Sequence, residues 1–171
     1  MGERSPINDT DARACFIGMS MDTSRSDLTQ AVLEGVAFAI RDSFEVARSL
    51  GVAPTQSMLC GGGAKSLGIK LTHSMLCGGG AKSPLWRRIL AGVLNIRLDL
   101  PQTEDGPGYG GAMLAMVCCG AYGSVAACAA QLVHVRESVE PDPALAARYE
   151  ERYQKFRIIY PAMKNLFQEV K

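Results

Sequence analysis

The sequence predicts an α/β domain. Three observations lead there. Helical apolar periods alternate along the chain with short strand-like runs, those runs end in glycine or proline, and one passes through three glycines directly into a capped helix. Residues 1–171 are expected to form one domain. The chain is 47% apolar and 20% charged, which is enough to bury a core and excludes a disordered polymer.

Taken in order, Ala14–Gly18 (ACFIG) is apolar, ends in glycine and predicts a strand. Ser24-Arg25-Ser26-Asp27 has the form of a capping box. After it, Leu28, Ala31, Val32, Val36, Ala39, Ile40, Phe44 and Ala47 recur at three- and four-residue spacing. They predict one long helix with that face inward, closed by Gly51.

Then comes an internal repeat. Ser57–Ser66 reads SMLCGGGAKS, and Ser74–Ser83 reads the same ten residues at an offset of seventeen. Two copies with an unrepeated spacer are a duplicated segment (57–83), not a solenoid. After the second copy, Ser83 can cap a helix with Pro84 at its first position, and Leu85, Trp86, Ile89, Leu90, Val93 and Leu94 form its inward face. After the first copy, Leu67-Gly68-Ile69 is a poor helix start. We therefore expect a single sheet position, taken by Ser74–Cys77, with Gly78–Gly80 as the functional loop. The first copy is expected in a long protease-sensitive loop before Ser74.

Asn95–Leu100 alternates and ends at Pro101, which predicts a strand. Helices are expected over about Ala112–Cys119 and Val125–Val133, a buried small-residue pair broken near Tyr122-Gly123-Ser124. Glu140-Pro141-Asp142-Pro143 opens the last helix, striped by Leu145, Tyr149, Tyr153, Phe156, Tyr160, Met163 and Phe167, with a bend at Pro161.

Composition also excludes functions. Eighteen Lys+Arg against seventeen Asp+Glu leaves +1, without the basic excess a nucleic-acid surface needs. Gly106–Val135 is free of formal charge, yet its six glycines and many alanines make a poor membrane span. The six cysteines include no CxxC pair, and neither His73 nor His134 stands at metal-ligand spacing from one. They are expected as small reduced core thiols of a cytoplasmic protein, and the polar N-terminus carries no apolar signal segment.

Three glycines between a strand and a helix N-terminus allow a ligand close to the backbone and offer it N–H groups, which suits a nucleotide. The standard geometries are absent. A Walker A loop would need glycine where Ala81 and Leu76 stand, and a Rossmann fingerprint would need it at Ser83.

Five ordered segments carry a family resemblance. They are Gly2-Glu3-Arg4-Ser5-Pro6; Gly18-Met19 with Asp27-Leu28 and Ala31–Gly35; Gly78–Trp86; Glu104–Ala112; and Tyr160–Phe167. With them the chain resembles the C-terminal domain of the FGGY carbohydrate kinases, most closely their xylulokinase branch. The resemblance implies an actin-like, ribonuclease-H-like nucleotide-binding domain, the C-terminal half of a sugar kinase. It implies ATP as cofactor, with Mg²⁺ held mainly through the nucleotide and the family's first domain, and phosphoryl transfer to a sugar hydroxyl. The family's phosphate-binding segment, sugar pocket and catalytic aspartate precede this region, so no catalytic residue is expected here and the chain alone is expected to be inactive. The duplicated block also departs from the family, which has one adenosine motif.

Gly78, Gly79, Gly80, Ala81, Lys82 and Ser83 are the expected nucleotide contacts: the glycines and Ala81 through the backbone, Lys82 and Ser83 toward ribose or phosphates. Trp86 could wall an adenine pocket, but a tryptophan in the first turn of an amphipathic helix is more often core. Glu34 is a cap or cleft residue. Glu3 and Arg4 face the sugar side by resemblance, or form a surface ion pair. Expected partners are ATP or ADP, with sugar bound only alongside the first domain, no nucleic acid and no membrane. Apolar surface left by a missing partner domain is expected to cause self-association. The alternative function is a non-catalytic nucleotide-binding or interaction domain that keeps the fold.

Overall fold

A computed structural model describes residues 2–51, 56–60, 73–103 and 106–170, with side chains at 2–51, 74–103 and 108–170. The elements run α1 (Arg25–Ser49), β1 (Gln56–Cys60), β2 (His73–Cys77), a 3₁₀ turn (Gly79–Lys82), α2 (Pro84–Leu94), β3 (Arg97–Pro101), α3 (Gly106–Cys118), α4 (Val125–Leu132), β4 (Val135–Val139), α5 (Pro143–Arg157) and α6 (Ile159–Glu169). The sheet order is β1-β2-β3-β4. β1, β2 and β3 are parallel, and β4 is antiparallel to β3. The parallel step from β2 to β3 uses α2 as its crossover, the usual solution for parallel neighbours.

The expected α/β class holds, and the caps set the helix ends. Ser24 and Asp27 form the reciprocal capping box of α1, and Gly51 follows its last turn at φ 77°. Asp142 accepts from the N–H groups of Ala144 and Leu145 at the head of α5. Pro161 interrupts the last helix as expected. It has no N–H for the carbonyl of Arg157, and the chain breaks there into α5 and α6 at Ile158.

The main core lies where α1, α2 and α5 meet the sheet. Ala37, Phe38 and Phe44 of α1 join Ile89, Leu90, Val93 and Leu94 of α2, Leu76 of β2, Leu98 of β3, and Tyr149 and Tyr153 of α5. Phe38 is in ring contact with Tyr149, Tyr153 and Phe156.

Several expectations are corrected. Ser57–Cys60 is not displaced from the sheet. β1 pairs with β2 in register, identical residue against identical residue, Ser57 with Ser74 through Cys60 with Cys77. Two identical segments have the same strand propensity, so the sheet accommodates both, with the second copy inside and the first beside it. The first copy's Gly61–Ser66 and the spacer lie outside the described residues. Ala14–Gly18 forms no strand: no described strand lies beside it, and Phe16 and Ile17 are exposed.

The inward face of α1 is rotated from the expected one. Val32 and Val36 are exposed, while Glu34 is buried and the Arg152 guanidinium pairs with it at 2.7 Å. Leu85 points outward from α2. Helix α3 begins at Gly106 rather than Ala112, since Pro107 in a first turn forfeits only an N–H that had no helical partner.

The α3–α4 pair is largely exposed, with Cys128 its buried residue among those described and Leu114, Met116 and Val125 outward. Cys15, Cys118 and Cys119 are exposed free thiols, so among the cysteines with described side chains Cys77 and Cys128 match the expected core role. Strand β4 had no distinct signal, because an exposed edge strand lacks apolar alternation. Among the described residues no helix is long and apolar enough to cross a membrane.

Candidate functional site

The six residues singled out in the sequence form one continuous turn between β2 and α2. Strand β2 is held on both sides by β1 and β3, which fixes where the chain leaves the sheet. It leaves through Gly78 at φ 88°, ψ −172°, a conformation essentially reserved for glycine. Gly79–Lys82 then wind one 3₁₀ turn. The Ala81 N–H donates to the Gly78 carbonyl at 3.0 Å, and the Ser83 N–H to the Gly80 carbonyl at 3.2 Å. Ser83 ends the turn and starts α2, its hydroxyl accepting from the Trp86 N–H at 3.3 Å with Pro84 at the first helical position.

Gly79, Gly80, Lys82 and Ser83 are exposed, while Gly78 and Ala81 are half-buried. A Cβ built on Gly79 would have nothing within 4 Å, so the backbone there is open to a ligand. Gly80 differs. Its Cβ would stand 2.9 Å from Nε1 of Trp86, so the indole lies directly against the loop. Trp86 also packs on the main core, together with Ala81. It is thus core on one side and the loop's backing on the other.

Two residues that sequence reasoning missed hold this turn. The Arg87 Nε–H donates to the Ala81 carbonyl. Nη1 of the same side chain donates to Oε2 of Glu137 on β4 at 2.9 Å, with the Arg87 side chain 12% exposed. Arg87 carried no signal, since an arginine in a first helical turn reads as solvated surface, and Glu137 is fifty residues away.

The remaining candidates lie elsewhere. Glu3 accepts from the N–H groups of Ile7 and Asn8 and braces its own loop, which Tyr160 ties to α6 by donating to Asp9 at 2.7 Å. Glu34 receives Arg152 and Gln30 and is a structural tie between α1 and α5. Asp99 is buried, accepting from Arg97 and Ser138 across β3 and β4. Burial pushes the Asp42 carboxyl up, against the pull of its hydrogen bond from Tyr153, and this pair is on the α1–α5 side. Among the described residues no three or more His, Cys, Asp or Glu gather into a metal-binding group.

Residues 1–119 match the model of the FGGY family of carbohydrate kinases, C-terminal domain. The xylulose kinase of Escherichia coli is 33% identical over 166 residues, 96% of this chain and 31% of that protein. A xylulose kinase structure from Brucella ovis is 33% identical, with TM-score 0.76 over 94% of this chain and 30% of that one. A ligand-bound xylulose kinase structure from Lactobacillus acidophilus, at 21% identity, shares the fold with TM-score 0.79 over 99% of this chain and 31% of its own. The chain spans about 30% of the length of the curated relatives it matches.

Proposed function

The chain belongs to the FGGY family of carbohydrate kinases, and we propose that it supplies the adenosine-nucleotide contacts of an ATP-dependent sugar kinase through Gly78–Ser83. The observation that carries this reading is the open backbone at Gly79, between a glycine-only conformation at Gly78 and a Gly80 that Trp86 backs. The flat adenine ring of a nucleotide can approach such a backbone where any side chain would stand in its way. Lys82 and Ser83 follow at the head of α2, where a helix N-terminus favours ribose hydroxyls or phosphate.

When bound, ATP would supply the phosphoryl group and Mg²⁺ would neutralise charge on its phosphates. The chain's own residues orient the nucleotide, and the sugar acceptor is xylulose by analogy with the relatives. Sugar binding and proton acceptance are assigned to the part of the kinase outside these residues. The 171 residues alone therefore bind ATP or ADP in the cytoplasm without sugar phosphorylation. The exposed Val32, Val36, Leu114 and Met116 favour self-association until a partner domain covers them.

Trp86 is the single tryptophan, so its emission reports on the loop directly. Titration with ADP and ATP is expected to change that emission saturably. No change and no calorimetric binding at millimolar nucleotide overturns the reading. Xylulose-dependent ADP release by the purified chain overturns the assignment of catalysis elsewhere.

A further inference from the structure

We infer that Arg87 is a positioning residue that holds the glycine loop in its nucleotide-binding shape, acting with Glu137; the functional half of this inference rests on the nucleotide reading above. In a 3₁₀ turn each carbonyl pairs with the N–H three residues on. The Gly78 and Gly80 carbonyls do so, receiving Ala81 and Ser83. The Ala81 carbonyl would require residue 84, and Pro84 has no N–H.

Arg87 supplies the donor instead. Its backbone N–H closes the first turn of α2 on the Ser83 carbonyl at 3.1 Å, which places its side chain over the turn it must brace. Nε–H then donates to the Ala81 carbonyl, and Nη1 to Glu137. The fork therefore links loop, helix and strand β4. A charged donor on a half-buried carbonyl is among the stronger hydrogen bonds, and the 12% exposure of the side chain limits competition from water. Lysine, a single ammonium on a flexible stem, cannot hold two acceptors at the fixed spread of the planar guanidinium. The same proline that starts α2 thus leaves open a carbonyl that the arginine three residues later caps.

The test uses the full chain with Arg87→Met, Arg87→Lys and Glu137→Gln, and ADP as probe. Arg87→Met is expected to weaken ADP binding about tenfold, and Arg87→Lys and Glu137→Gln about two- to fivefold. Amide exchange at Ala81 and Ser83 should accelerate about tenfold or more in Arg87→Met without ADP, while amides of β3 and α5 stay protected. A merely structural role would change all amides together and leave ADP affinity of the folded fraction alone. Wild-type affinity in both Arg87 variants overturns the inference. If Arg87→Met melts globally, Glu137→Gln decides, since half of that side chain is already in solvent. If the wild type itself fails to bind ADP, the nucleotide reading falls and takes the functional half of the inference with it. The exchange comparison still judges the brace.

Discussion

Replacing Gly80 by alanine tests whether Trp86 backs the loop. The added Cβ would stand 2.9 Å from Nε1 and 3.0 Å from Cδ1 of the indole. Non-bonded carbons rest at about 3.5–4.0 Å, so either the ring retreats by roughly half to one ångström or the loop lifts. The ring has little room, because it also packs on the core of α1, α2 and α5. Overpacking of this kind costs about 1–3 kcal/mol. In a chain of this length that lowers the melting temperature by roughly 2–10 °C. Differential scanning calorimetry measures the loss, and the emission of the single tryptophan should shift with it. Trp86→Ala removes both atoms that collide, Nε1 and Cδ1. Gly80→Ala should therefore cost less in that background than in the wild type, with a coupling of about 0.5–3 kcal/mol. If Gly80→Ala is neutral within about 0.5 kcal/mol, with unchanged emission and ADP affinity, the contact and the reasoning built on it are wrong.

Gly78→Ala should destabilise by about 1–3 kcal/mol through backbone strain alone, with no steric partner required; chemical denaturation showing no loss would contradict the φ and ψ on which the turn depends. The Tyr160–Asp9 bond makes a two-sided pH prediction: the Asp9 carboxyl is held below its ordinary 3.8, and that bond pushes the Tyr160 hydroxyl from 10.0 up to about 12. Its contribution is whole from about pH 4 to 10, fades as pH falls through the lowered carboxyl value, and fades again as pH rises from 10 through about 12; Tyr160→Phe should flatten both limbs in pH-dependent melting. Deleting residues 57–73 removes β1 and restores one copy of the repeat, with ADP affinity expected within about threefold of the full chain, a change near 0.6 kcal/mol; loss of binding on calorimetric titration would make the first copy part of the site.

The sequence made legible those features that one local device decides. Ser24 with Asp27, Ser83 with Pro84, and Asp142 with Pro143 each place a helix start, because a cap and its donors lie within three residues. The strand–glycine–helix unit was legible for the same reason. What failed needed a distant partner. Val32 and Val36 look like core, but Ala37, Phe38 and Phe44 pack on α2 and α5, and Arg152 on α5 partners the Glu34 that lies on the same face. Ala14–Gly18 has strand composition and no neighbour to pair with among the described residues. Strand β4 shows the converse. Its composition is ordinary, and the open edge of β3 makes it a strand.

The repeated decapeptide shows where a motif's meaning resides. Ser57–Cys60 and Ser74–Cys77 are the same four residues, and the sheet treats them alike, side by side and in register. Nothing inside the motif separates a functional copy from a spare one. The separation comes from the residues downstream of each copy. In the sequence only the second copy leads into Ser83 and Pro84, and the helix that begins there carries Trp86 against Gly80 and Arg87 back to Ala81. Pro84 makes the helix start sharp and leaves the Ala81 carbonyl without its next donor. Arg87 and Glu137 complete what the proline leaves open. The shape of this glycine-rich loop is therefore set by the helix after it and the strand that braces it, and its glycines alone are only the permission.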